Sequence, residues 1–292
     1  MLRRIVITAV LTGLLVGGAV SRAHAQQPTN SSPPVASPSG WTFDVTPYVW
    51  FATMNAGMNL TLPPALGGTV STNTSVGFGQ LLSHLNFAAM VAADARYGRF
   101  TILTDFLYMN LGGVGTQIRS VNFPNHPNIP ISTTVQASVG MNLSAPIWTL
   151  AGGYTVARGD WGNFDAIVGF RYLEVNARVN YSLALALIGP RGNGATFGGI
   201  GSVSGSANIW NGIGGFRGQI RISNTALFIP YYFDIGAGGS NLTWQIASGI
   251  GYHASWGDVA LTYRYLSFEQ GSDSVLHNLS TRGPMIALNI RF

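Results

Sequence analysis

The chain has 292 residues, 47% of them hydrophobic and only 9% charged, with 38 Gly and no Cys. A soluble domain carries about 25% charged residues, so the composition excludes a disordered chain and argues against an ordinary water-soluble enzyme. Without Cys, a small disulfide-stapled scaffold is excluded as well.

The first 25 residues have the form of a secretory signal peptide. Arg3 and Arg4 lead an apolar stretch from Ile5 to Val20, and Ala23-His24-Ala25 offers a small-x-small cleavage site. That stretch is interrupted by Thr and Gly and is short for a membrane-spanning helix, which needs about 20 apolar residues. Cleavage would leave a mature chain beginning near Gln26, outside the cytoplasm. It also accounts for most of the formal charge of +5: without Arg3, Arg4 and Arg22, 12 Arg face 10 acids. No basic run remains, so the footprint of a nucleic-acid binder is missing. Residues 26–40, rich in Pro, Ser and Gln, predict a flexible periplasmic leader, and 41–292 a single domain.

From Trp41 onward the chain alternates with period two. Between Asn241 and His253, Leu242, Trp244, Ile246, Ile250 and Tyr252 share one face; Asn241, Thr243, Gln245 and His253 lie on the other. Ten such segments are predicted, near 41–62, 84–97, 99–111, 133–156, 161–183, 205–222, 225–236, 241–254, 258–269 and 281–292. A soluble sandwich alternates in the same way. Two features favour a barrel with its apolar side outward. The strand charges sit on the polar faces, and the apolar faces carry aromatics eight residues apart, as with Trp244 and Tyr252 or Phe100 and Tyr108. Eight residues in a strand tilted by ~40° rise roughly 20 Å, close to the ~25 Å apolar band of an outer-membrane barrel.

The links between segments alternate in length. Gly98-Arg99, 157–160, Ser223-Asn224 and 255–257 are short; 63–83, 112–132, 184–204 and 271–279 are long, with a shorter link near 237–240. Short periplasmic turns and long extracellular loops alternate in this way. The expectation is an all-β fold, a transmembrane antiparallel up-and-down β-barrel of about ten strands. A turn at 55–57 would change the count, to eight or twelve. Three segments are long enough to project past the bilayer, and in two the apolar face changes parity, near Pro146 and near Leu173, which suggests β-bulges at the membrane rim.

Catalytic patterns are absent. His84, His126 and His277 fall in expected loops, and His253 faces inward beside a turn. None has a Ser and an acid at strand spacing on the outward face, where lipid-acting barrel enzymes work, and nucleophilic catalysis needs all three within reach. No His pair has metal-ligand spacing. The glycines of 194–205 lack the Lys and helix of a phosphate loop. The chain is therefore read as non-enzymatic, with no cofactor and no metal.

The inward charges are the candidate site. Asp44, Asp94, Asp105, Asp165 and Asp234 are expected to point into the lumen with Arg96, Arg171, Arg217, Arg221, Arg264 and Arg291. Five acids and six Arg nearly cancel, so pairing is expected. They either plug the barrel and fix its register or form a constriction passing small polar or anionic solutes. Eight strands leave an interior filled by side chains, and ten stands near that end. Inward Ala88, Ala92, Gly215, Gly249 and Gly251 leave room for a narrow path. Asp165 lies ~20 Å along the strand from Arg171, so the partner of Arg171 must come from another strand, with Asp105 and Asp234 as candidates.

At the C-terminus Ile286, Leu288, Ile290 and Phe292 alternate, and this resembles the signal by which the barrel-assembly machinery of Gram-negative bacteria recognises its clients. "TPYVW" at 46–50, "GFRYLEV" at 169–175, "NLTWQIASGIGY" at 241–252, "LTYRYL" at 261–266 and the final "GPMIALNIRF" resemble a widespread family of uncharacterised bacterial outer-membrane β-barrels. The resemblance implies an outer-membrane location, a lipid bilayer around the chain and contact with the assembly machinery during insertion; it implies no substrate. Two functions stay open: a narrow pore or pocket for small polar solutes, and a structural or surface-interaction protein without transport.

Overall fold

The computed structural model describes residues 40–61, 69–115, 117–122, 136–188, 194–239, 241–271, 274 and 276–292. The expected signal and leader, and His126, lie outside them. Period-two patterning becomes antiparallel strands throughout: β1 (Trp41–Trp50), β2 (Thr53–Thr61), β3 (Thr69–Val76), a short helix α1 (Phe78–His84), β4 (Leu85–Tyr97), β5 (Phe100–Gly115), β6 (Gln117–Asn122), β7 (Gln136–Gly159), β8 (Gly162–Ile188), β9 (Gly194–Arg221), β10 (Leu227–Gly238), β11 (Asn241–Ala254), β12 (Gly257–Glu269) and β13 (Leu276–Arg291). The hydrogen-bonded order runs β1-β4-β5-β7-β8-β9-β10-β11-β12-β13, and β13 pairs back onto β1. Ten staves therefore close into a barrel, as expected, and closure leaves no free edge within the wall.

The first stave is broken rather than continuous. β1 and β2 both pair with β13, β1 along Met285–Arg291 and β2 along Leu276–Arg282, with Phe51-Ala52 between them. Residues 55–57 are strand, not turn. β3 hairpins onto β2 and β6 pairs with β3, so a small extra sheet is added at one end. β3, β6 and α1 occupy stretches expected to be loop, and His277 lies within β13 rather than in a loop.

The short turns expected at Gly98-Arg99, 157–160, Ser223-Asn224 and 255–257 lie at one end, while at the other end β10 and β11 are also joined by a short link. The turn at Gly98-Arg99 uses a positive φ of 58° at Gly98, and the link from β9 to β10 uses 60° at Asn224, the two residue types that best tolerate it. At the other end β7, β8 and β9 stand tallest, as the expected projection past the bilayer requires, and β9 is much longer than expected. β8 and β9 stay paired out to Ile188↔Gly194, so most of the expected loop at 184–204 is a strand hairpin.

Polarity reverses along these tall strands without any change of parity. On β8, Asp165, Ile167, Arg171, Leu173, Val175 and Ala177 are all buried and inward. Their outward neighbours begin as Val168, Phe170 and Tyr172 and continue as Glu174, Asn176 and Arg178. On β7 the inward row runs Thr155, Ala151, Thr149, Ile147, Ala145, Leu143, while outward Tyr154 and Trp148 give way to Ser144 and Asn142. The β7–β8 register is unbroken from Ser144↔Asn176 to Thr155↔Asp165, and its irregularity falls between Thr155 and Ala157. The bulges expected at Pro146 and Leu173 are therefore absent. The apparent switch marks the height at which the outer wall leaves an apolar medium for water, while the lumen goes from polar to apolar. From Gly162 to Tyr172, about ten residues at ~3.4 Å tilted ~40° rise roughly 26 Å, the height of a bilayer's apolar band.

The upper lumen is thus a packed core. Trp50, Met54, Leu107, Leu173, Ile209 and Phe268 are all nearly inaccessible there. Leu81 from α1 inserts among them, and Phe78 of the same helix meets Phe51 edge-on at 5.0 Å. The small inward residues do not leave an opening. A Cβ on Gly251 would lie 2.2 Å from the Phe228 ring, which fills the space beside it. Ala88 and Ala92 pack against the apolar core.

Gly169 gives a direct test of wall packing. Its added Cβ would sit 2.1 Å from the Leu150 carbonyl oxygen on β7. Gly169→Ala is expected to cost about 1–3 kcal/mol through overpacking, read as a lower urea midpoint of the heat-modifiable folded band. An unchanged midpoint would mean that β7 and β8 can separate freely there.

Candidate functional site: tiers of charge across the lumen

Between the short-turn end and the apolar core, the inward charges form three tiers. At the rim, the Arg291 guanidinium donates to Asp44 (3.3 Å) and to Asp258 (3.2 Å), and Asp258 also meets His253 Nδ1 at 2.7 Å. These groups come from neighbouring strands β1, β11, β12 and β13 and remain partly exposed.

The second tier crosses the barrel. Arg96 on β4 donates to Asp165 on β8 at 2.6 Å and to the Thr155 hydroxyl at 2.7 Å. Arg217 on β9 reaches back to Asp94 on β4 at 2.7 Å and lies 4.0 Å from Asp165. β4 stands four staves from β9 in the hydrogen-bonded order, so these links cross the lumen rather than running along the wall.

The third tier is the most enclosed. Arg171 forms a bidentate pair with Asp234, at 2.9 and 2.5 Å, and both side chains are 0% exposed. Its Nε donates to Thr149 Oγ1, Nη1 to Thr243 Oγ1 and Nη2 to Gln245 Oε1. Gln245 Oε1 also accepts from Arg264 at 2.8 Å, which joins this cluster to the next. Arg264 donates to Asp105 at 2.7 Å and to the Tyr48 hydroxyl at 3.2 Å, while Tyr48 donates to Asp105 at 2.6 Å. The guanidinium lies 4.8 Å from the Trp50 ring, the floor of the apolar core. One connected network therefore draws on β1, β5, β7, β8, β10, β11 and β12. A buried ion pair is tolerable only with such geometry and with its remaining donors satisfied.

Of the eleven charges picked from sequence, ten are brought into ion pairs. Arg221 sits exposed at the rim and has no ion pair among the described residues. Asp234, not Asp105, is the partner of Arg171, and Asp105 serves Arg264. Sequence reasoning missed Tyr48, Trp50, Asp258 and the uncharged partners Thr149, Thr243 and Gln245. The last three were legible as the bulkier polar residues on lumen faces, but strand register was needed to bring them to Arg171.

The network holds no reactive group in an accessible position. His253 is stacked on Phe228 at 4.3 Å between ring centres, with Asp258 as its carboxylate partner, and no Ser hydrogen-bonds to it among the described residues. No cluster of three His, Asp or Glu able to hold a metal occurs among them either. The C-terminal residues Ile286, Leu288, Ile290 and Phe292 share the outward face, and Phe292 donates its backbone N–H to Phe43 at 2.8 Å at the closing seam.

No family model matches this chain, and no curated protein does. Among solved structures it resembles the outer-membrane protease OmpT from Escherichia coli, with a TM-score of 0.52 at 7% identity over 90% of this chain and 99% of that one. Weaker likenesses include the Yersinia pestis attachment invasion locus protein Ail (TM-score 0.30, 7% identity, 87% of this chain and 99% of that one) and the Pseudomonas putida toluene transporter TodX (0.30, 9%, 87% and 89%). The chain has the fold of a Gram-negative outer-membrane β-barrel, and identity this low carries the fold alone.

Proposed function

We propose that this protein is a closed outer-membrane barrel that works at the cell surface rather than as a diffusion pore, and that it is not an enzyme. One observation carries the reading: the Arg171–Asp234–Gln245–Arg264–Asp105–Tyr48 network crosses the lumen directly beneath a packed apolar core. A polar solute passing upward would have to separate a bidentate pair, at ~3–5 kcal/mol for a broken buried pair, and then enter a region without polar partners. The outward apolar belt supports residence in a lipid bilayer, and the alternating C-terminal face supports delivery by the barrel-assembly machinery after export on a cleaved residues 1–25 signal. The tall wall of β7, β8 and β9 above the belt supports a surface role, because it carries sheet far beyond what spanning requires.

Planar-bilayer recording of the refolded, heat-modifiable protein tests this. The expected record shows no discrete openings across ±100 mV in molar salt. Steady unitary openings with ion selectivity would overturn the closed reading and establish the narrow solute pore in its place.

A further inference from the structure

On the outer wall, where polarity reverses, cross-strand pairs place side chains in register across neighbouring strands. An outward aromatic row runs through Phe106, Trp148, Tyr172 and Trp210, each opposite the next across β5, β7, β8 and β9, with Tyr108 and Phe87 above it on β5 and β4. The Tyr172 and Trp210 rings lie 4.5 Å apart, which anchors the row as the aromatic girdle at the bilayer surface. Two rows higher stand Asn110, Ser144, Asn176 and Ser206, and above them Asn142, Arg178 and Ser204, again in register. These two rows line a shallow cavity of about 500 Å³.

The chemistry of that cavity is specific. Its polar side chains are amides and hydroxyls, with one cation and no carboxylate, and Leu111, Leu143 and Ala177 complete the lining. Asn176 donates to Glu174 at 2.6 Å and Asn142 accepts from the Gly113 N–H at 3.1 Å, which leaves the Asn176 carbonyl and the Asn142 amide group free to bind. Arg178 has no ion pair or hydrogen bond among the described residues. Neutral amides and hydroxyls match the paired donors and acceptors of sugar hydroxyls, and an uncommitted guanidinium matches a phosphate. The position points to the source: the rows continue directly from the aromatic girdle, with Phe87 of β4 opposite Asn110, so a headgroup rooted in the outer leaflet reaches them.

We infer that this wall cavity binds the phosphorylated sugar headgroup of an outer-leaflet glycolipid, with Arg178 on the phosphate and Asn142, Asn176 and Ser206 on the sugar. The inference rests on the membrane-spanning, surface-acting reading. It does not depend on whether the lumen is closed, so conductance and glycolipid binding fail independently.

The test reconstitutes the protein in nanodiscs of phosphatidylethanolamine and phosphatidylglycerol, with and without lipopolysaccharide, and measures lipid retained after detergent extraction by native mass spectrometry. Wild type is expected to retain lipopolysaccharide over phosphatidylglycerol. Arg178→Gln is expected to retain it about tenfold less, the loss of a charge-assisted hydrogen bond. Ser206→Leu, which fills the cavity without touching charge, should lose it too. Arg158→Gln, on an exposed cation at the short-turn end, should retain it as wild type does. All variants should keep heat-modifiable mobility, since every changed side chain is exposed. Competition by the delipidated phosphorylated oligosaccharide would show that the sugar suffices; no competition, with retention intact, would show that the lipid anchor is needed. Equal retention by wild type, Arg178→Gln and Ser206→Leu, or no preference over phosphatidylglycerol, would overturn the inference.

Discussion

Arg171→Ala is expected to lower the stability of the folded barrel by about 3–5 kcal/mol, because it leaves the fully enclosed Asp234 carboxylate without its partner. The loss should appear as a smaller heat-modifiable fraction and a lower urea midpoint. The damage should be specific to the unpaired charge rather than to lost volume. Arg171→Met with Asp234→Leu removes both charges and keeps apolar bulk, so it is expected to recover much of the stability. Arg171→Ala with Asp105→Asn should not recover it, because Asp105 belongs to Arg264. If Arg171→Ala folds as wild type does and merely shifts ion selectivity, the register-clamp role is wrong and the arginine lines a path. If Asp105→Asn rescues while Asp234→Leu does not, the pairing across the lumen is wrong.

The barrel was legible because a membrane wall writes its two environments onto alternate residues. Leu242, Trp244, Ile246 and Ile250 face outward, as their alternation implied, and the short turns at Gly98-Arg99 and Ser255-Trp256 fixed which strands are neighbours. The upper half was misread for the same physical reason. Alternation reports a contrast between two faces and not which face is wet, so a strand passing from lipid into water gives the pattern of a bulge. Leu173, 0% exposed, and Glu174 beside it looked like a slipped register. Length already carried the answer: three segments were long enough to project past the bilayer, and a strand that leaves lipid for water must change its outer face there without any bulge. The charged set was legible as inward, but its partners were not. Pairing across a lumen depends on stave order and shear: Arg171 lies opposite Asn211 of β9 and Asp234 opposite Gly215, so the two meet across the inward face of the strand between them.

The reversal of polarity on β8 predicts opposite responses to the same substitution at neighbouring positions. Val168 is 71% exposed on the outward face, within the apolar belt. Val168→Arg places a guanidinium against lipid and is expected to cost ~2–4 kcal/mol. Leu173 lies five residues on and faces inward among Val175, Ile209 and the other core residues. Leu173→Arg buries an unpaired cation in an apolar core above the reach of Asp234, whose oxygens are already held by Arg171, so it should fail at least as badly. Glu174, next in the chain, faces outward above the girdle beside Tyr172 and Asn176. Glu174→Arg meets water there and should cost under about 1 kcal/mol, the scale of an exposed charge change. The comparison is made on refolding yield into detergent-free liposomes, with Leu173→Ala as a cavity control expected to lose about 2–5 kcal/mol. The informative result is the order, severe at 168, severe at 173, mild at 174. If β8 slipped by one residue at Leu173, as a bulge requires, Leu173→Arg would be mild and Glu174→Arg severe, and the inversion of medium would give way to an inversion of register.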